Sequence, residues 1–183
     1  MAYAIAKLAG TQMCLAYNQQ HGGQRFVPVI PNSVYGANDN FDLASAHVLS
    51  ALIHRFHAAK ARGDTAVTLW GSGTPRREFL YADDLAAACL ILLEADLSEV
   101  ELPINVGPGE DVSIADLAVL VARVVGFRGS IEWDRAKPDG ALRKLLDSTR
   151  MRSLGWKPAT VLETGIRSTY EWFKGQQRER ATT

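Results

Sequence analysis

Tyr3 and Lys7 stand four residues apart in the stretch AYAIAKLAG. On a helix that spacing puts two side chains on one face. An ammonium beside a phenol favours the phenolate and lowers the tyrosine pKa. Such a pair can give a proton to a carbonyl oxygen while hydride reaches its carbon. The same spacing also describes an ordinary pair on a helix surface. His47 follows a polar stretch, where an imidazole can act as acid or base near neutral pH, or simply stand at a helix start. Arg55, Arg77, Arg143 and Lys144 lie far apart in the sequence, with Arg76 beside one of them. Gathered at one cleft, such cations hold a diphosphate through charge-assisted hydrogen bonds; left apart, they are a solvated face. Trp70 ends the apolar run VTLW and either stacks on a base or packs in the core. His21, His54 and His57 have no comparable context and read as solvated surface.

Those residues need elements to position them. Residues 4–20 read as a helix ending at Gly22 and Gly23, and RFVPVIP (25–31) as a buried strand closed by Pro31. NSVYGANDNFDLASA reads as a polar loop. Residues 47–62 form an amphipathic helix, with Val48, Leu52 and Phe56 on one side. VTLW (67–70) is a strand, and GSGTPRREF after it is too rich in Gly, Pro and charge to be regular. Residues 85–95 are an apolar helix, preceded by Asp83 and Asp84 at the positive end of its dipole. LPINV (102–106) and SIEW (130–133) are strands. Ser113 to Asp116 resembles a capping box that opens a helix to about Val125. Residues 162–174 are the last helix, and QQRERATT is a frayed tail. Strands alternating with helices make an α/β chain with a largely parallel sheet.

Composition narrows the classes. Lys plus Arg number 20 and so do Asp plus Glu, so net charge draws the chain neither to nucleic acid nor to an anionic membrane. No apolar run approaches bilayer length. Two cysteines, Cys14 and Cys89, have no paired spacing, which points to a reducing, cytoplasmic setting without a disulfide framework or zinc site. The run NDNFD has Leu43 where a calcium loop needs its turn glycine, so no metal site is expected. G-x-G-x-x-G does not occur: Gly71-Ser-Gly73 lacks the third glycine, and position 112 after Gly107-Pro-Gly109 is Val.

The segments YAIAK, NSVYGANDNF, WGSGTPRREFLYADD, INVGPGED, KPDGALRKLLDSTR and LGWKP, in that order, together resemble the GDP-L-fucose synthases of the extended short-chain dehydrogenase/reductase family. The likeness runs from Tyr3 to about Phe173. It implies an incomplete Rossmann-like parallel sheet plus a smaller α/β substrate-binding domain. Residues 1–34 and about 79–106 would be the remnant of an NADP-binding domain; about 35–78 and 107–183 would hold the nucleotide sugar. The implied reaction is NADPH-dependent 3,5-epimerisation and 4-reduction of GDP-4-keto-6-deoxy-D-mannose. The resemblance makes Tyr3 the proton donor in reduction, Lys7 its partner and an NADP(H) ligand, and His47 the acid of epimerisation. Pro31, Asn32, Ser33, Val34 and His47 would line the cofactor. Arg55, Trp70, Arg77, Asp139 and Lys144 would hold the GDP-sugar.

In that family the glycine fingerprint, the active-site serine and the cysteine base precede the Y-x-x-x-K helix. The resemblance therefore covers a C-terminal portion, and Cys14, after the tyrosine, is not that base. The chain by itself is expected to turn over little, since an unpositioned hydride source forfeits roughly 7–11 kcal/mol of barrier lowering. Self-association or docking of the missing half is expected, with the helix over residues 3–20 as the homodimer surface. Two other readings remain: a non-catalytic module that binds GDP-sugars or a partner, and a related nucleotide-sugar epimerase or dehydratase.

Overall fold

Six helices and eight short strands alternate along residues 2–182, which this computed structural model describes. The order is α1 (Ala2–His21), β1 (Val29–Pro31), β2 (Ser33–Tyr35), α2 (Val48–Arg62), β3 (Ala66–Trp70), β4 (Arg76–Tyr81), α3 (Ala82–Glu94), β5 (Ile104–Val106), β6 (Asp111–Ser113), α4 (Ile114–Val125), β7 (Ser130–Asp134), β8 (Arg143–Lys144), α5 (Thr149–Ser153) and α6 (Leu162–Thr182). The strands fall into three small sheets. β1 pairs with β5 and β3 with β7, both parallel. In the third sheet β4 is central. Its second half, Phe79–Tyr81, runs parallel to β2. Its first half, Arg76–Glu78, lies between antiparallel β6 and parallel β8. The α/β class with parallel pairing is as the sequence indicates, although no single continuous sheet forms.

Local chemistry accounts for several ends. α2 buries Leu49, Leu52, Ile53, Phe56 and Ala59, the spacing of one helix stripe. It stops at Gly63, whose φ of 74° is the left-handed conformation that glycine adopts freely. Ser113 caps α4, its hydroxyl accepting the Asp116 amide at 3.0 Å. The boundaries of α4 match the capping-box reading.

Four expectations fail. The buried strand over 25–31 shrinks to Val29–Pro31, with Ile30 39% exposed and β5 its one partner among the described residues. The apolar run alone cannot bury itself where no described strand covers its other side. The first residues of NSVYGANDNFDLASA form β2 instead of loop. The supposed loop GSGTPRREF ends in β4, because Arg76 meets Asp111 and Arg77 meets backbone carbonyls while Phe79 and Leu80 enter the cores. The supposed tail continues α6 to Thr182. Thr183 lies outside the described residues.

Two cores result. α2, α4 and α6 pack over β3 and β7 through Phe56, Leu117, Val121, Ile166 and Phe173. α3, β5 and α5 enclose Leu92, Ile104, Met151 and Trp156. His54 and His57 sit in the first core's seam and are not merely solvated. His54 Nδ1 hydrogen-bonds to the Phe41 carbonyl at 2.7 Å, and His57 Nδ1 to the Tyr170 hydroxyl at 3.1 Å. Burial, then His54, Lys60 and Lys174, lower the His57 pKa below its ordinary 6.5. His21 stacks on Tyr17 at 5.7 Å between ring centroids.

Asp84 does more than face a helix dipole. It is 5% exposed. Its carboxylate accepts the Ala159 amide at 3.0 Å and the Thr160 amide at 3.1 Å, and its carbonyl accepts the Trp156 indole at 3.1 Å. The LGWKP segment is thereby fastened to the start of α3.

Asp84→Ala leaves two amides unpaired, a loss of roughly 3 kcal/mol that lowers the melting midpoint by about 9 °C. Asp83→Ala, at an exposed helix-start position, costs below about 1 kcal/mol; paired thermal melts followed by circular dichroism separate the two. A histidine whose folded pKa is depressed stabilises the fold above its unfolded pKa and loses that contribution as pH falls through it. The midpoint of the natural chain therefore drops from pH 7.5 to 5.5, and the drop is smaller in His57→Gln.

Candidate functional site

Two cavities flank the first turn of α2, and Val48 lines both. The larger, about 240 Å³, is closed by four elements. β2 supplies Ser33 and Val34, the start of α2 supplies His47, β4 supplies Arg77, and β8 supplies Lys144. Arg77 and Lys144 are directly opposite in the parallel register of β4 and β8. Arg77 Nη1 donates to the carbonyls of Arg76 and Ala141, both at 2.7 Å. One nitrogen of the guanidinium is thus fixed by backbone, which leaves Nε and Nη2 to face an anion. Asp39 reaches the same cavity from the loop after β2 and accepts the buried Ser50 hydroxyl.

The smaller cavity, about 140 Å³, holds Arg55, Trp70 and Trp133. Trp70 is 66% exposed. The Arg55 guanidinium carbon lies 6.0 Å from the Trp70 ring centroid, and the Lys137 ammonium 5.4 Å. An open indole flanked by two cations is suited to a flat ligand with acceptors on its rim. Trp70 is therefore not core packing.

Seven of the residues singled out by sequence converge here: Ser33, Val34, His47, Arg55, Trp70, Arg77 and Lys144. The others do not enter either cavity. Tyr3 is 76% exposed on α1, with the Lys7 ammonium 5.6 Å from its ring centroid, so the pair exists as a pair. Pro31 is exposed at the end of β1. The Asn32 side chain is engaged by the Ser33 amide at 2.9 Å and by Glu78 at 2.5 Å. Asp139 sits beside Gly71, where its carboxylate accepts the Ser72 amide at 2.9 Å and the Ser72 hydroxyl at 2.6 Å. Those two bonds hold its pKa below the usual carboxylate value. Asp139 shapes the turn after Trp70. Arg143 turns away from Lys144 and pairs with Asp111, as does Arg76 at 2.6 Å.

Sequence reasoning missed Glu78, Asp111 and Lys137. Glu78 is fully buried and accepts the Asn32 carboxamide at 2.5 Å, the Gly109 amide at 2.5 Å and the Leu146 amide at 3.1 Å. It ties together the stretches before β2, after β5 and after β8. A Cβ on Gly107 would collide with its carboxylate, which is why the turn after β5 requires glycine there. A glutamate after two arginines reads as surface charge; only its place two residues before Leu80, on the same strand face, marks an inward position, and the strand itself was not foreseen.

With this geometry in hand, comparison places the chain among known proteins. The NAD dependent epimerase/dehydratase family matches residues 1–107. The chain is 51% identical over 171 residues to the putative GDP-L-fucose synthase 2 of Arabidopsis thaliana, covering 93% of this chain and 51% of that protein. It is 47% identical over 183 residues to the GDP-L-fucose synthase of Escherichia coli K12, covering 96% of this chain and 56% of that protein. The chain spans about half the length of these relatives. Among solved structures, a GDP-L-fucose synthetase from Naegleria fowleri bound to NADP superposes with a TM-score of 0.85 at 29% identity, over 97% of this chain and 56% of the other. A GDP-6-OMe-4-keto-L-xylo-heptose reductase from C. jejuni gives 0.84 at 32%, over 94% and 60%.

Glu78→Gln replaces two acceptor oxygens by one and places a carboxamide NH2 against N–H donors. The expected loss is roughly 3 kcal/mol, read as a lower urea midpoint with an unchanged denaturant slope.

Proposed function

The chain belongs to the NAD dependent epimerase/dehydratase family, and from that membership and its site we propose that it carries the GDP-sugar site of a GDP-L-fucose synthase. The reaction is 3,5-epimerisation and 4-reduction of GDP-4-keto-6-deoxy-D-mannose. One observation carries the reading: Arg77, Lys144 and His47, from three separate elements, line one cavity beside the Trp70–Arg55 platform. The cations take the diphosphate, and the indole with Arg55 takes the nucleoside side. His47 then stands over the sugar.

The keto group acidifies its neighbouring C–H bonds, so one base that takes each proton and the His47 imidazole that returns a proton to the opposite face can serve both inversions. Tyr3 gives the proton to the C4 oxygen in reduction, with the Lys7 ammonium beside its ring. Bound NADP(H) supplies the hydride. Ser33, Val34 and His47, gathered at one cavity, fit the nicotinamide end; Pro31 and Asn32 lie at the neighbouring strand end, and Lys7 takes the ribose hydroxyls. Residues 1–34 and about 79–106 form the cofactor side of this arrangement, and about 35–78 and 107–183 the sugar side. Asp139 acts indirectly, through the Ser72 turn.

α1 is the proposed homodimer surface, since Tyr3, Ile5, Leu8 and Met13 are all at least 60% exposed on it. No helix among the described residues is long and apolar enough to cross a membrane, and a cytoplasmic setting suits the nucleotide ligands.

A second reading, a module that binds GDP-sugar without catalysis, is favoured by one observation: α1 buries none of its residues, and Tyr3 lies outside the cavity. Calorimetric titration with GDP-fucose and with NADPH decides. Binding of GDP-fucose, weakened about tenfold in Arg77→Ala, supports the sugar site. Unchanged affinity in that variant removes Arg77 from it. NADPH binding with turnover of the keto-sugar favours the enzyme, and binding of GDP-fucose alone favours the module.

A further inference from the structure

β8 is two residues long, yet it delivers Lys144 to the cavity. The segment leading to it, residues 135–144, is exposed throughout. Nothing apolar anchors it: Leu142 is 76% exposed. Its fastenings are polar. Asp139 accepts Ser72, Ala141 accepts Arg77, and the Leu142 carbonyl accepts the Arg76 amide at 2.8 Å. Segments held in this way lie at the low end of local stability and open first.

The charges on this strap also oppose its docking. In the register of β4 and β8, Arg76 faces Arg143 and Arg77 faces Lys144. Like charges directly opposite on neighbouring strands repel. One acid lies among the four cations. Asp111 on β6 is paired with Glu78 across the antiparallel ladder, and its side chain is 5% exposed. One carboxylate oxygen accepts Arg76 Nε at 2.6 Å, the other accepts Arg143 Nε, and its carbonyl accepts Arg76 Nη2 at 2.9 Å. Residues alternate faces along a strand, so clamping Arg76 and Arg143 on one face leaves Arg77 and Lys144 together on the other.

We propose that Asp111 is a positioning residue: by bridging Arg76 and Arg143 it latches β8 to β4 and holds Lys144 beside Arg77 as a two-pronged cradle for a diphosphate. The inference rests on the diphosphate reading of the cavity. Asp111 lines neither cavity of the proposed site. It removes the repulsion that would otherwise let the strap swing out, and so sets how far apart the two cradle cations stand. A ligand with two phosphates needs both; a ligand with one phosphate needs only Arg77, which the backbone carbonyls fix independently.

The test uses the whole chain and two variants, Asp111→Asn and Arg143→Ala. The second removes a side chain that is 61% exposed and keeps the fold if the first does not. Amide hydrogen exchange over residues 139–147 is followed without ligand, and affinities for GDP and GMP are measured by calorimetry. Exchange is expected to quicken about tenfold in both variants. GDP affinity is expected to fall about tenfold while GMP affinity stays within about twofold, so the preference for the second phosphate is lost. Unchanged exchange overturns the latch. Faster exchange with the GDP preference intact, or equal weakening of both nucleotides, overturns the positioning role and leaves Asp111 a general structural residue. If the natural chain does not prefer GDP to GMP, the diphosphate reading fails before any variant is made, and the cradle with it; the exchange arm still separates that failure from failure of the latch.

Discussion

A buried carboxylate governs how this chain closes on itself. Glu78 has no contact with solvent, so its oxygens must find donors or the strand that carries it cannot be interior. It finds them in three separate stretches, at Asn32, Gly109 and Leu146. Each stretch then leads directly to something the site uses: Ser33 and Val34, the β6 ladder, and the β8 strap. The acid is placed by Phe79 and Leu80 beyond it, which anchor β4 in the two cores. Apolar burial fixes the strand, the strand fixes the acid, and the acid gathers the loops.

Charge is handled in two ways along the same strand. Glu78 faces inward and is met by amides, a neutral set of donors. Arg76 and Arg77 face the rim and are met by Asp111 and by carbonyls. A strand reading RRE thus has every charge answered by a specific group, which is why so polar a sequence holds a central position. The cations that remain available are those whose partners leave an edge free. This is how a chain with equal numbers of acidic and basic residues makes a locally cationic cavity.

Much of this could be read from the residues. α4 was legible to its boundaries because Ser113 and Gly126 punctuate it and its apolar stripe is clear. β3 and β7 were legible as short apolar runs. The convergence of His47, Arg77, Lys144, Arg55 and Trp70 was legible only through the likeness of whole segments, since spacing says nothing about cations lying dozens of residues apart. β4 was not legible, because its pairing with β2, β6 and β8 is long-range and overrides a local sequence rich in turn-forming residues. Glu78 and Asp111 shared that fate: a buried acid is recognised by its donors, and those come from elsewhere in the chain. The frayed-tail expectation failed for a simpler reason, that QQRER has good helix formers and α6 had only to continue.

β4 serves two sets of partners in its sheet, and the changeover falls inside it, between Glu78 and Phe79. No peptide bond within it can be chosen as a seam that leaves both sets of pairings whole. Chimeras between relatives that exchange contiguous blocks must carry the entire strand together with its three partners, or they will inherit half of a ladder. Modular shuffling, an easy route to new specificity in proteins built from consecutive lobes, is closed by topology here, and variation is left to the side chains on the strap and around Trp70.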